Sequence, residues 1–247
     1  MLADGKQNAL LVALSEPQKQ TDPPLTASVA VPHKASFPGL PAMPDAILLL
    51  RLLLYANVAD LYAITDVIRN DVGLTAQLLC LAAHEYGKHP FSLNITDIVI
   101  DLGIDKLKKL ATEIKLNPAP VKNSPPQARE KFWSHARLTA RIAEGIADES
   151  APANRDAAYV AGLLRHIGSL PSLLGWDISL WMPCSVGELG YHMAKSWQLP
   201  SVLADVIRGD DRACTSHKAY SLLRLVNTAD ERTTRWELAQ AGTTALS

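Results

Sequence analysis

The feature that most limits the possible folds is a helical spacing of apolar residues that continues from Asp45 almost to the C-terminus. In "ARLTARIAEGIA", for example, Leu138, Ile142 and Ile146 recur every four residues, which places them on one face of a helix. No β-alternation of useful length interrupts this pattern. Hydrophobic residues make up 48% of the 247 residues, enough to fill a sizeable core. The sequence therefore predicts an all-α fold.

Prolines divide this helical pattern into parts. Seven prolines fall within the 28 residues from Pro17 to Pro44, and a second break, "NPAPVKNSPP", covers residues 117–126. Proline has no amide hydrogen and restricts the residue before it, so neither stretch can hold a long helix. We predict an N-terminal segment and linker over residues 1–37 and a helical domain over 38–247. The domain is expected to contain two packed halves, 38–117 and 126–235.

The first half contains several predicted helices with clear boundaries. The stretch "PDAILLLRLLLYAN" is apolar nearly all round, so we expect it to be buried on most sides. The next helix is predicted to begin at Asp60, a suitable N-cap, and to end at Gly73, and the one after it to end at Gly87. Two shorter helices are predicted over "NITDIVIDLG" and "DKLKKLATEIK".

Composition argues against several classes of function. The net charge of −1 gives no basic footprint for nucleic acid or for anionic lipid, so we expect neither as a partner. The apolar run from Ala9 to Leu14 is too short for a signal sequence or a membrane span. The three cysteines, Cys80, Cys184 and Cys214, are scattered and form no disulfide framework or zinc knuckle. These features predict a cytoplasmic protein without a cofactor.

Polar side chains that could meet inside a helical bundle come from three segments. They are His135 in "FWSHARLTA", the pair Arg165 and His166 in "YVAGLLRHIGSL", and Asp230 in "LLRLVNTAD". We expect the Arg165–His166 pair in the middle of a buried helix. Imidazole and carboxylate can bind a metal ion through a lone pair, whereas a guanidinium cannot.

Two further residues are candidates for the same pocket. His192 in "GYHMAKSW" could face it, and Trp133 lies two residues before His135. Trp133 is also expected to pack in the seam between the two halves, where its indole N–H needs one acceptor.

The order of these motifs is similar to the layout of HD phosphohydrolases. In that superfamily a His, an adjacent His-Asp dyad and a later Asp hold a metal ion that activates water against a phosphate ester. The resemblance places His135 and Asp230 at the first and last of these positions, Arg165 at the position of the dyad His, and His166 at that of the dyad Asp. The central pair therefore departs from the metal-binding pattern, and we expect no metal.

The preceding segments resemble the first half of the HD-related output domain (HDOD) family, which joins such a half to a degenerate HD half. They are "LPAMPDAILLLRLL", "ITDVIRNDVGLTAQLLCLAA" and "FSLNITDIVIDLGIDKLKKLA", and with the later motifs the resemblance covers about residues 40–230. One departure is that Gly209 and Asp210 stand where family members often have a His-His pair.

The HDOD resemblance implies a bacterial signalling module without catalytic activity that acts by contacting other signalling proteins. We interpret Arg165 and His166 as the remnant of a hydrolase site now serving as structure, with Asp230 as the expected counter-ion of Arg165. Two alternatives stay open: a metal-dependent phosphohydrolase using His135, His166 and Asp230, and a nucleotide sensor in which Arg165 binds a phosphate. Self-association into a homo-oligomer also stays open.

Overall fold

The computed structural model describes residues 37, 39–56, 60–87, 93–114, 126–150, 155–177, 179 and 184–244. Every described residue lies in one compact unit, Pro32–Ser247. The predicted N-terminal segment and linker, residues 1–37, lie outside the described residues except for Phe37, which is buried. The predicted domain and half boundaries stay predictions.

The predicted all-α fold is confirmed. A first group of helices consists of α1 (Pro44–Leu54), α2 (Leu61–Arg69), α3 (Val72–Tyr86) and α4 (Ile95–Glu113). A second group consists of α5 (Pro126–Ser150), α6 (Arg155–Leu164), α7 (Leu170–Leu173), α8 (Val186–Ser196), α9 (Ser201–Arg208) and α10 (His217–Thr244). In the second group α10 packs against α5, α6 and α9. None of the described helices is long and apolar enough to cross a membrane.

The predicted boundaries in the first group are partly confirmed. Asp60 caps α2 by accepting the backbone N–H groups of Tyr62 and Ala63, as predicted. The predicted end of α2 at Gly73 is wrong, because Asp71 caps a new helix and Gly73 lies inside it. Gly73 is required there for space: a β-carbon would collide with the carbonyl oxygen of Pro41. Gly87, with φ of 61°, ends α3 as predicted.

The two short helices predicted after α3 form the two parts of α4. Gly103 lies inside α4 with φ of 74° and ψ of 164°, which is not a helical conformation. This backbone geometry favours glycine, and it bends the element between "NITDIVIDLG" and "DKLKKLATEIK".

The expectation that the first helix is buried on most sides is wrong. Only Ile47, Leu50 and Leu54 of α1 are buried, whereas Leu48 is 59% exposed and Leu52 is 62% exposed. The physical reason is that α1 packs mainly against α2 and α4, and the side that carries Leu48 and Leu52 is left exposed. Apolar residues on all sides of α1 therefore did not predict burial on all sides.

A polar seam joins the two groups of helices. The Trp133 indole Nε1 donates to Oδ2 of Asp71 over 3.0 Å, and both residues are 2% exposed. This confirms the seam position and the acceptor expected for Trp133. A second contact lies nearby, where the Tyr159 hydroxyl donates to the carbonyl oxygen of Arg69 and the Arg69 guanidinium pairs with Glu144.

Candidate functional site

Three of the four predicted site residues converge. His135 lies on α5, His166 follows α6, and Asp230 lies on α10. One ligand atom from each lies within 4.8 Å of the others. Oδ1 of Asp230 lies 2.9 Å from Nε2 of His135 and 2.8 Å from Nε2 of His166, so one carboxylate oxygen joins both imidazoles.

The expectation that Arg165 and His166 lie mid-helix is wrong. Helix α6 ends at Leu164, and the pair forms the turn before a short 3-10 helix, Ile167–Ser169. Just after this turn the chain passes close to α8, where a β-carbon on Gly168 would collide with the carbonyl oxygen of Val186. The turn lets two neighbouring side chains leave the backbone in different directions.

The expected pair between Arg165 and Asp230 is also wrong. Arg165 Nη1 donates to the carbonyl oxygen of Ile207 over 3.1 Å, and its Nε and Nη2 both lie 3.4 Å from Oδ1 of Asn227. No ion pair joins Arg165 to Asp230, both of which are described, because the imidazoles take the Asp230 carboxylate. Burial lowers the pKa of Arg165, and the charge of Asp230 opposes that change.

Two departures from the HDOD pattern are in contact with each other. Gly209 has φ of 77°, and a β-carbon built there would collide with the guanidinium of Arg165. The Arg165 side chain therefore occupies space that a larger residue at position 209 would require. The replacements at these two positions fit one another sterically.

Glu237 was not predicted from the sequence as a site residue. Its Oε2 lies 3.0 Å from Nδ1 of His135, so both ring nitrogens of His135 face carboxylate oxygens. Glu237 lies seven residues after Asp230 on α10, two turns along the same helix face, and that spacing could have pointed to it. An imidazole between two carboxylates donates through both nitrogens, which is the protonated form.

The charges in this cluster support each other. The hydrogen bond to Asp230, assisted by Glu237 and opposed by desolvation, raises the pKa of His135. Desolvation alone would raise the pKa of Asp230, but the hydrogen bonds from His135 and His166 and their charges outweigh it and lower that pKa. Beneath the cluster, the buried hydroxyls of Thr139 and Thr233 bond to each other and continue the contact between α5 and α10.

The cluster lines an open cavity of about 400 Å³. The residues that line it are Lys131, Phe132, His135, His166, Ser169, Asp230, Thr234 and Glu237. The other two candidates do not line it. Trp133 is directed to Asp71 in the seam, and Nε2 of His192 lies 3.8 Å from Glu188 on its own helix, α8.

The three converging side chains fit a divalent transition-metal ion by type, because two imidazoles and one carboxylate are suitable donors. His135, His166 and Asp230 would hold such an ion, and Glu237 would orient His135 from behind. A metal-bound water would have a lowered pKa and could attack a phosphate ester. At the position of the dyad His this chain has no metal ligand, because the Arg165 guanidinium has no lone pair and is hydrogen-bonded to Ile207 and Asn227.

Comparison with known proteins agrees with the fold and the motifs. The HDOD domain model matches residues 40–175, more than half of the chain. The structure is similar to the MmoQ response regulator from Methylococcus capsulatus, with a TM-score of 0.63, 16% identity and coverage of 80% of this chain and 87% of that one. It is also similar to a virulence factor from Campylobacter jejuni, with a TM-score of 0.58, 16% identity and coverage of 77% and 76%. No curated protein matches the sequence significantly.

Proposed function

Because this chain belongs to the HDOD domain family, we propose that it is a regulatory module without catalytic activity that acts by binding other signalling proteins. The observation that carries the proposal is the position of Arg165. The HD layout requires a metal-binding imidazole there, and this chain has a guanidinium bonded to Ile207 and Asn227.

The remaining site residues support the same proposal through their own hydrogen bonds. Oδ1 of Asp230 is shared by both imidazoles, and His135 is held on its other side by Glu237. Protonated His135 balances part of the carboxylate charge that a metal ion would otherwise balance. The cluster thus ties α5, the turn after α6 and α10 together as a structural connection.

The catalytic part of the proposal is tested with a panel of phosphomonoesters and phosphodiesters supplied with manganese, iron or zinc. The full chain is compared with the double variant Arg165→His/His166→Asp, which rebuilds the family dyad beside unchanged His135 and Asp230. We expect no turnover by the native chain. Turnover by the native chain at a level equal to or above that of the double variant would refute the proposal.

The binding part is tested separately by calorimetry of the full chain against purified candidate signalling proteins. We expect a defined complex with one of them at micromolar concentration. Because the cluster acts as a structural connection, His135→Ala should still bind this partner. Absence of binding across the candidates would count against a protein-binding module. Nucleic acid and membrane remain unexpected partners.

A metal-dependent phosphohydrolase is the second candidate function, favoured by the convergence of His135, His166 and Asp230 within 4.8 Å. In that case the native chain binds one ion, His135→Ala removes it, and turnover disappears with it. The nucleotide-sensor alternative has weaker support, because the Arg165 guanidinium is already bonded to Asn227 and Ile207. A panel of nucleotides that leaves the melting temperature unchanged would exclude it.

A further inference from the structure

The outer side of α1 carries an exposed apolar stripe. Leu48, Leu49 and Leu52 are 59%, 48% and 62% exposed, and Tyr55, which follows the helix, is 64% exposed. Together with exposed Asp45 at the start of the helix, these residues form what we call the α1 face. Adjacent exposed leucines are a feature of surfaces that bind another protein, because their burial removes apolar area from water.

The α1 face has a spacing that suits a second copy of itself. If two α1 helices lie antiparallel about a two-fold axis near residue 50, Leu48 of one copy lies opposite Leu52 of the other. Leu52 then lies opposite Leu48, as a two-fold interface requires. By the same symmetry, Asp45 lies opposite Tyr55 of the second copy.

The charges at the two ends of the face are complementary in this arrangement. Asp45 lies at the N-terminal end, and no ion pair joins it to another described residue. At the other end, Nζ of Lys108 on α4 lies 5.2 Å from the centre of the Tyr55 ring. Asp45 and Tyr55 are about 15 Å apart along the helix axis. An antiparallel partner therefore brings each Asp45 to the Tyr55 and Lys108 of the other copy, whereas a parallel partner places Asp45 beside Asp45.

We propose that two copies of this chain associate through their α1 faces as an antiparallel, two-fold symmetric pair. Leu48 and Leu52 form its apolar centre, and Asp45 pairs with Lys108 of the second copy at both ends. The inference goes beyond the proposed function and does not depend on it. A single short helix face gives a small interface, so the expected dissociation constant is on the order of micromolar.

The test is sedimentation equilibrium of the full chain over a concentration series, with circular dichroism to check the fold of each variant. Leu52→Glu should abolish the dimer, because it places two charges at the apolar centre. Leu238→Glu on α10 is the matched control, since Leu238 is 68% exposed but lies outside the α1 face, and it should leave the dimer intact.

Charge reversal tests the antiparallel register. Asp45→Lys and Lys108→Glu should each weaken dimerisation by on the order of tenfold, because each affects two symmetric contacts. The double variant Asp45→Lys/Lys108→Glu should restore the native dissociation constant, because it exchanges the two charges.

Three results would overturn the proposal. A monomer at all concentrations would do so. A dimer that survives Leu52→Glu would lie elsewhere. A double charge variant as weak as the single ones would exclude the antiparallel pairing. None of these results bears on the proposed regulatory function, because its tests measure phosphoester turnover and binding to other signalling proteins.

Discussion

Substituting Trp133 by Phe tests how the two groups of helices are joined. The indole N–H donates to Oδ2 of Asp71, which also accepts the backbone N–H of Met43, while Oδ1 accepts that of Leu74. Burial raises the pKa of Asp71, and these donors oppose the increase. Since the neighbouring groups are all N–H donors, the ionised carboxylate is the form that satisfies them.

The expected cost follows from this geometry. Loss of a hydrogen bond to a charged, buried acceptor costs about 1.5–3 kcal/mol. Replacing the two fused rings of indole by the smaller phenyl ring removes packing contacts and costs about 1–2 kcal/mol more. The two contributions are separated by a double-mutant cycle of Trp133→Phe with Asp71→Asn. The amide introduced by Asp71→Asn would place its own N–H groups against existing donors. Trp133→Phe should therefore cost less in that background, with a coupling free energy of about 1.5–3 kcal/mol.

The assay is urea unfolding followed by circular dichroism at constant pH. Trp236→Phe is the matched control, because Trp236 is 54% exposed, and it should change the free energy of unfolding by less than about 0.5 kcal/mol. A coupling free energy near zero between Trp133 and Asp71 would refute the reasoning that this bond connects the two groups.

Other consequences can be measured in the same way. Gly209→Ala should lower the free energy of unfolding by about 1–2 kcal/mol because of the positive φ, and by a further amount because its β-carbon meets the Arg165 guanidinium. In an Arg165→Ala background only the cost of the positive φ should remain, and a double-mutant cycle of unfolding free energies measures the difference. In the presence of a chelator, the contribution of the cluster to stability should be greatest between about pH 4 and pH 6.5. As the pH falls below that window, the unfolded chain takes up a proton at Asp230 before the native chain does, because the fold lowers the pKa of Asp230. As the pH rises above it, the unfolded chain loses the His135 proton first, because the fold raises the pKa of His135. Unfolding midpoints should therefore fall on both sides, and His135→Gln should flatten the profile. Glu237→Gln should lower the pKa of His135 measured by NMR titration, and an unchanged value would show that Glu237 does not act on it.

Much of the fold could be predicted from the sequence because local signals agree with it. The cap at Asp60 and the stop at Gly87 depend on residues within one turn, and the structure has both. The end of α2 was mispredicted because Gly73 is required by a distant contact with Pro41, not by a local turn. Exposure of α1 was mispredicted for a similar reason, since burial depends on which neighbours are present.

The candidate site shows the same limit. The types and order of His135, His166 and Asp230 could be recognised from the sequence, and the structure brings them together. The direction of the Arg165 side chain could not be predicted, because it depends on the end of α6 and on the space left by Gly209. The pairing expected with Asp230 failed because two imidazoles compete for the same carboxylate.

Hydrogen bonds, and not a metal ion, are expected to hold the cluster of His135, His166 and Asp230 together. The most direct measurement is the metal content of the purified full chain after exposure to manganese, iron and zinc and removal of excess ion. We expect substoichiometric metal in the native chain and no change in His135→Ala. One tightly bound ion per chain, lost in His135→Ala and accompanied by phosphoester turnover, would contradict this expectation.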